Sequence, residues 1–381
     1  MPSPRINVLV DGAPLDAGIL AQLERAELRE SDSEPSVLAL RFRLAQRPDG
    51  EFGPLDDEVF EAGVALSFEA QPPGGLNQRL FEGYLTHVRP HFETIESNCY
   101  VELLAMDAAV LLDAEERIAA WPNMTDADVV ADVLAGYQIA ADVDATAVLY
   151  DEDRQQLVQR GTDWRFLQHL ARRNGARLYF EYDGAREQVV GRFGAPDVDG
   201  TPQPDVALLQ DASSLNWADL QLVATGPVKW TASALDPIGK RIVRGDGEPA
   251  LTVVGADDAA EAIEQGLSAA GAQASVALLR DPFPLDGAVG TETTAATDDA
   301  RFVIELRAEL DPALYRGLLR ARRPVLVRGV GRRFSGVYYV ESVRTTLEQG
   351  ALLQTFVAVR NATGQRGDER FGQFAEEVPA E

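Results

Sequence analysis

The stretch Phe334-Ser335-Gly336-Val337-Tyr338-Tyr339-Val340-Glu341-Ser342-Val343-Arg344 decides the fold. Its β-branched and aromatic residues follow a glycine-punctuated turn, Gly329-Val330-Gly331, so Val337–Val343 reads as a strand. Val325 and Val327 precede that turn. Gly350 places a hairpin turn behind the strand, and Leu353, Thr355, Val357 and Val359 alternate on the return. The same order occurs nearer the start. A strand, Val64–Ala70, leads to Phe81-Glu82-Gly83, then to a strand ending Val88-Arg89, a turn, and the return strand Tyr100–Leu104. The shared marks are Phe-x-Gly, the following Val-Arg and the strand order. A repeat of such long period predicts two similar domains, not a solenoid.

The remaining chain fits around these two meanders. Ile6, Val8 and Val10 alternate with polar neighbours, as do Leu38, Leu40, Phe42 and Leu44, with Arg41 and Arg43 on the other face. Period-two alternation predicts one buried and one wet face. Between the meanders the period changes. Thr125-Asp126-Ala127-Asp128 is a capping-box-like start, followed by Val129, Val130, Val133 and Leu134 at helical spacing, with Gly136 as a stop. A second helix starts near Thr162-Asp163, with Trp164, Leu167, Leu170 and Ala171 as its apolar stripe, Arg172 and Arg173 in its last turn and Gly175 at its end. A third runs from Asp257 or Asp258 to Ala270, capped by Gly271. After Asn361 the chain turns polar and acidic, which predicts a loose tail.

Composition bounds the function. The 381 residues, 45% hydrophobic, suffice for two to four compact units. A net charge of −26 opposes bulk electrostatic binding of nucleic acid or anionic lipid. The basic run Arg316, Arg320, Arg322 and Arg323 is expected to be a solvated face or a set of ion pairs. A single cysteine, Cys99, excludes an intramolecular disulfide and a cysteine-rich metal site. The start, Met1-Pro2-Ser3-Pro4-Arg5, has no apolar signal core, and no apolar run is long enough to span a membrane.

The segment Gly329–Arg344, with Val359-Arg360-Asn361 after it, resembles the C-terminal signature of phage late control D proteins, a family related to the N-terminal part of VgrG. Gly161-Thr162-Asp163-Trp164-Arg165-Phe166-Leu167-Gln168-His169-Leu170-Ala171-Arg172 is similar to the central helix of that family, and Met124–Val130 to the helix before it. Trp230–Lys240 resembles its Trp-Asp-Pro-x-x-Lys stretch imperfectly. The resemblance runs from about Arg5 to Asn361. It implies an α+β, mainly β chain with two related tube-like β-barrel domains joined by a mixed α/β region. On that basis the first barrel is expected over residues 1–113, a central α/β domain over 114–213, the second barrel over 214–361 and an acidic flexible tail over 362–381.

The implied role is a structural baseplate hub of a contractile phage tail, tailocin or extracellular injection system, adapting a six-fold inner tube to a three-fold spike. The implied partners are two further copies in a homotrimer, an inner tube or tube-initiator protein on one side, a separate spike protein on the other, and surrounding baseplate wedge proteins. Neither specific nucleic-acid binding nor a membrane anchor is expected. VgrG chains continue into a further barrel and a needle, whereas this sequence stops at Glu381, so the spike is expected on another chain. Assembly is expected in the bacterial cytoplasm, followed by residence in a virion tail or an injection-particle baseplate.

Two other readings compete, a tail-associated cell-wall hydrolase and a carbohydrate-binding module. The sequence offers neither a nucleophile elbow, nor a phosphate loop before a lysine, nor a zinc-protease helix motif, so no catalytic, cofactor-binding or metal residue is assigned. His87 and His91 could share a metal but lack a third ligand pattern and read as surface residues. His169 reads as helix packing. The acidic triplets Asp56-Asp57-Glu58 and Asp151-Glu152-Asp153 read as loop charges. Six residues are the structural or interface candidates: Phe81, Gly83, Trp164, Phe334, Gly336 and Tyr338. The acid excess is read either as the lining of a conduit, with Glu69 and Glu102 pointing inward, or as plain solubility.

Overall fold

The computed structural model describes residues 3–57, 59–153, 156–209, 213–271, 276–280, 285, 287–367 and 369. The chain is mainly β, with 46% of residues in strands and 18% in helices. Six long strands come first: β1 (Arg5–Val10), β2 (Leu23–Ser31), β3 (Val37–Arg43), β4 (Ala65–Gln71), β5 (Gln78–His91) and β6 (Tyr100–Met106). The helices α1 (Asp126–Gly136) and α2 (Asp163–Arg173) follow, then the antiparallel pair β7 (Arg177–Asp183) and β8 (Gln188–Gly194). The last part holds β9 (Leu215–Leu222), α3 (Ala259–Ala269), α4 (Ala288–Ala300), β10 (Ile304–Leu310), β11 (Pro324–Arg328), β12 (Gly336–Glu348) and β13 (Ala351–Arg360).

The helix starts follow from their caps. The Thr125 hydroxyl accepts the Asp128 N–H while the Asp128 carboxylate accepts the Thr125 N–H, satisfying two otherwise orphan donors of α1. Thr162 caps α2, and Asp258 caps α3 through the Ala260 and Glu261 N–H groups. Gly175 and Gly271 take positive φ just past α2 and α3, where a left-handed residue ends a helix at least cost. At the end of α1 this place falls to Gln138, not Gly136. Helix α4 lies outside the three helices expected.

Strands from both ends of the sequence merge. The order β9-β10-β13-β12-β2-β3-β6-β5-β4-β1 forms most of one 13-stranded sheet, with β11 also on β12. Two separate barrels were expected; among the described residues no closed barrel forms. The reason is the edge of β2, which pairs with β12 from Ser342↔Ser31 to Glu348↔Arg25 and so carries the hydrogen-bond ladder from one region into the other.

One core gathers Leu28, Leu38, Leu40, Phe42, Phe68, Leu85 and Leu103. A second gathers Leu306, Leu310, Val325, Tyr338, Val343 and Phe356. A third lies between α1, α2, β7 and β8, around Val129, Leu134, Leu167, Leu170 and Phe180. The chain beyond Asn361 departs from the loose tail expected there. Ala362–Thr363 pairs with Asp257–Asp258, and Ala362 is fully buried. Residues 370–381 of that expected tail lie outside the described residues.

Candidate functional site: a repeated sheet with two open edges

Two four-stranded sets in this sheet, β2-β3-β6-β5 and β9-β10-β13-β12, share one pairing register. Leu23-Glu24-Arg25-Ala26-Glu27-Leu28-Arg29 corresponds to Leu215-Asn216-Trp217-Ala218-Asp219-Leu220-Gln221. In the first set Leu23 pairs with Phe42 and Arg25 with Arg41, leaving Glu24 as an extra residue. In the second Leu215 pairs with Leu310 and Trp217 with Glu309, leaving Asn216 extra. Leu38↔Ala105 then corresponds to Leu306↔Ala358. Tyr84-Leu85-Thr86-His87-Val88-Arg89 corresponds to Tyr339-Val340-Glu341-Ser342-Val343-Arg344, with Thr86 and Glu341 as the extra residues. A bulge bends a strand and fixes its register. Two bulges at matching places in two sets give the duplication a structural basis. The Phe-x-Gly marks, by contrast, are offset: Gly83 stands two residues nearer Val88 than Gly336 stands to Val343.

The sets differ at their outer edges. In the second set β12 is covered by β2. Its counterpart β5 pairs, beyond Leu85, only with β6 among the described residues. Strand β9, the counterpart of β2, pairs among the described residues only with β10. The sheet thus ends in two open lengths, Thr86–His91 and Trp217–Leu222. His87, Arg89, Pro90 and His91 are exposed on one; Trp217, Asp219 and Gln221 are exposed on the other. Trp217 and Val223 remain 44% and 38% exposed.

The face opposite the cores is wet and charged, but not acidic. Glu27 sits among Arg25, Arg29 and Arg344 at 2.7, 2.5 and 3.7 Å. Burial pushes its carboxyl up, yet the hydrogen bond and charge of Arg29, with the charges of Arg344 and Arg25, hold it below the usual range. Glu102 lies on the same face, 3.8 Å from Arg41, and Glu305 bonds Arg307. Glu69 is held off this array by Arg79, Asn7 and Asn77. Of the basic run, expected as a solvated face or a set of ion pairs, Arg316 is exposed, Arg320 and Arg323 pair with Glu30 and Glu181, and two of the arginines are interior. Arg320 is buried at the junction of β2 and β12, 2.8 Å from Glu30, and donates to the Leu80 carbonyl. Arg322 donates to the Ser31 carbonyl and the Ser36 hydroxyl, and its guanidinium lies over Tyr179.

The six candidate residues lie inside the fold. Phe81 is a core residue of β5, paired with Phe68, and Gly83 follows within the same strand. A Cβ on Gly83 would meet the Met106 carbonyl oxygen at 2.2 Å. Gly336 has φ +145°, and a Cβ there would meet the Arg360 guanidinium at 2.4 Å. Both glycines therefore make room for the end of the return strand. The Tyr338 hydroxyl donates to the Phe334 carbonyl at 2.7 Å, and burial pushes its pKa up to about 12. Phe334 packs on the second core. Trp164 is half-buried against the third core, 6.1 Å from the Phe180 ring. Of the residues that the edges bring forward, Arg89 belongs to the repeated Val-Arg mark, whereas Trp217 and Asp219 carry no mark in the sequence reading. The parallel of Leu23–Arg29 with Leu215–Gln221 is the signal that could have found those two.

Among the described residues no group of three His, Cys, Asp or Glu side chains could hold a metal ion. His91 stacks on Tyr100 and bonds Glu93, while His87 bonds Thr86. His169 is exposed on α2, not packed as expected. Cys99 is buried, with the Glu93 N–H donating to its sulfur. Of the acidic triplets, Glu58 lies outside the described residues. No helix among the described residues is long and apolar enough to cross a membrane.

Residues 30–203 match the family model described as phage tail baseplate hub (GPD). Over those residues, somewhat under half of the chain, the sequence is similar to that family. Solved structures share the fold along nearly the whole length of the chain. A prophage MuSo2 43 kDa tail protein from Shewanella oneidensis matches with TM-score 0.65 and 14% identity, over 95% of this chain and 100% of that one. A tail protein from Neisseria meningitidis MC58 matches with TM-score 0.62 and 14% identity, over 94% and 97%. An E. coli component of the type VI secretion system, itself described as similar to T4 bacteriophage tail proteins gp27 and gp5, matches with TM-score 0.56 and 14% identity, over 98% and 80%. No curated protein matches the chain in sequence.

Proposed function

We propose that this chain is the structural hub of a contractile tail or injection machine, working as a closed ring of three copies rather than as an enzyme. The observation that carries the reading is the repeated sheet. Each copy supplies two four-stranded sets in one register. Three copies then present six similar sets around one axis, which suits an adaptor between a six-fold tube and a three-fold spike. Closed cyclic symmetry is the common solution for a chain whose two ends must both be covered. Within the ring the two sets become two tube-like walls, and the α/β part around α1 and α2 stands between them in sequence.

The wet face of the sheet would line the passage. Its Glu27–Arg array and its Arg41–Glu102 pair make that lining mixed in charge. Such a wall presents no large single-sign field to the cargo. The acid excess is left to the outer surface and to contacts with tube, spike and wedge proteins. Electron microscopy of the purified protein and of assembled particles tests the reading. Three-chain rings with an open centre are the expected result. A closed assembly of another number, or a compact monomer under all conditions, would overturn it.

A further inference from the structure

We infer that the hairpin formed by Lys229–Asp236 and Arg241–Asp246, which only the second set carries, is a docking surface for an acidic face of a separate protein, one that also bears apolar side chains. The inference takes its setting from the hub reading and goes beyond it, because it names the surface and the chemistry of what binds there.

The two sets differ in how their first two strands are joined. In the first set the turn Asp32–Ser36 suffices between β2 and β3. In the second, residues 223–303 lie between β9 and β10 and carry the hairpin together with α3 and α4. The short strand Val276–Leu278 adds beside Lys229–Thr231, which makes a three-stranded sheet apart from the main one. One face of it is held firmly. Ala232 and Val243 pack on Val289 of α4, the Thr297 hydroxyl accepts the Trp230 N–H, and Gly245 and Gly247 approach α4 so closely that a Cβ on either would strike its backbone.

The other face is open. Period-two alternation puts Leu235, Ile242, Arg244, Val276 and Leu278 on it. Leu235 and Ile242 are both 65% exposed, and Ile238 in the turn is 55% exposed. Exposed aliphatic residues scattered singly need no explanation, but these, with Val276 and Leu278, gather on one small sheet. The tip is also basic, in a chain of net charge −26. Lys240, Arg241 and Arg244 are exposed. The one acid among them, Asp236, is buried in the turn, where it accepts the Ile238 and Gly239 N–H groups and lies 3.7 Å from Arg241. Cations around an aliphatic patch are complementary to carboxylates around another. Three cations on so acidic a chain are few for a nucleic-acid backbone or an anionic bilayer, which take larger basic clusters. Trp230, the one aromatic residue of the sheet, is half-buried, so no open ring is offered for stacking on a base.

Lys229 and Lys240 are the only lysines in the chain, so amine acetylation read by mass spectrometry reports on this hairpin almost alone. Lys229 bonds Glu248 at 2.8 Å at the far end of the hairpin and serves as the internal reference. Lys240 is expected to react about tenfold more slowly in assembled particles than in the purified protein, because a docked face is shielded from water, with Lys229 changed far less. Carbodiimide treatment of the particles should join Lys240 to an Asp or Glu of a different protein. Leu235→Ser/Ile242→Ser and Lys240→Glu/Arg244→Glu proteins should keep the wild-type melting temperature and oligomeric state, yet enter particles about tenfold less well. Where a variant fails to fold, acetylation of the wild-type protein still decides. Equal Lys240 reactivity in the two states overturns the docking surface. So does a link only to another copy of this chain, or slower reaction on phosphatidylglycerol vesicles but not in particles. Three-copy rings in the same particles leave the hub reading standing in each of these cases, and a ring of another number overturns that reading whatever Lys240 does.

Discussion

Asp107 and Arg360 occupy the same place in the two halves of the molecule, each one residue past the pair Met106 and Val359 that the register equates. Both are buried, at 2% and 0% exposure, and they carry opposite charges. Asp107 accepts the Ser36 and Ala109 N–H groups, so it ties β3 to the short helix behind β6. Arg360 donates to the carbonyls of Ser335, Val254 and Gly364, so it ties the turn before β12 to the chain just beyond β13 and to a segment more than 100 residues away. One scaffold thus ends its return strand on a buried acid in one half and a buried base in the other. The backbone fixes the position, and the loops packed there set the sign: one half presents free N–H groups, the other free carbonyls.

That contrast can be broken from either side. Arg360→Ala should have the largest effect, leaving at least three carbonyls without their donor. A loss of about 3–5 kcal/mol is expected, read from denaturant unfolding. An effect under about 1 kcal/mol would mean that water replaces the guanidinium.

The two glycines come next. Gly83→Ala puts a methyl against the Met106 backbone, which cannot move without parting β5 from β6. Gly336→Ala meets a side chain end but forces an L residue to φ +145°. Each should cost roughly 2–4 kcal/mol, and adding Arg360→Met should relieve part of the Gly336→Ala loss and none of the Gly83→Ala loss. Relief at both would erase the distinction between them.

Asp107 gives a pH signature. Burial pushes its carboxyl up to about 6, against the opposing hydrogen bonds from Ser36 and Ala109. A carboxyl whose pKa is higher in the folded chain favours folding while protonated. Its contribution is therefore full below about pH 4 and is lost as pH rises through about 6, a loss of order 3 kcal/mol. Asp107→Asn should flatten this part of the stability profile. An unchanged profile would assign the slope to another acid, such as Glu341, which burial also raises.

The smallest expected effect on the single chain is at Trp217, the counterpart of Arg25. Trp217→Ala should change unfolding stability by less than about 0.5 kcal/mol, because the ring is already 44% exposed. Ring assembly should nevertheless weaken. Equal weakening by Arg25→Ala, which lies at the internal junction, would argue against a special role for the open edge.

Much of the fold was legible. The capping residues Thr125, Thr162 and Asp258 stand at the helix starts read from the sequence, and the alternation of Leu38, Leu40 and Phe42 gives the buried face of β3. The candidate site was far less legible. The parallel of Leu23–Arg29 with Leu215–Gln221 is interrupted by bulges at Glu24 and Asn216, which break the period of two that marks a strand. Helix α4 lacks a clear helical mark in sequence, because Thr291, Thr293, Thr294 and Thr297 are β-branched residues that favour strands. In the fold, Thr293 bonds back to the Val289 carbonyl and Thr297 accepts the Trp230 N–H.

By itself the sequence determined the mainly β character, the helix caps and the two meanders, since these depend on groups a few residues apart. Only the tertiary structure decided that β2 and β12, more than 300 residues apart, share a ladder, and that Arg320, Arg322 and Arg360 are interior. Hydrogen bonding along an edge is made by the backbone, which is nearly the same for every residue, so side-chain pattern does not name the partner of a strand. A buried arginine is likewise indistinguishable in sequence from a solvated one until the carbonyls and carboxylates around it are in place.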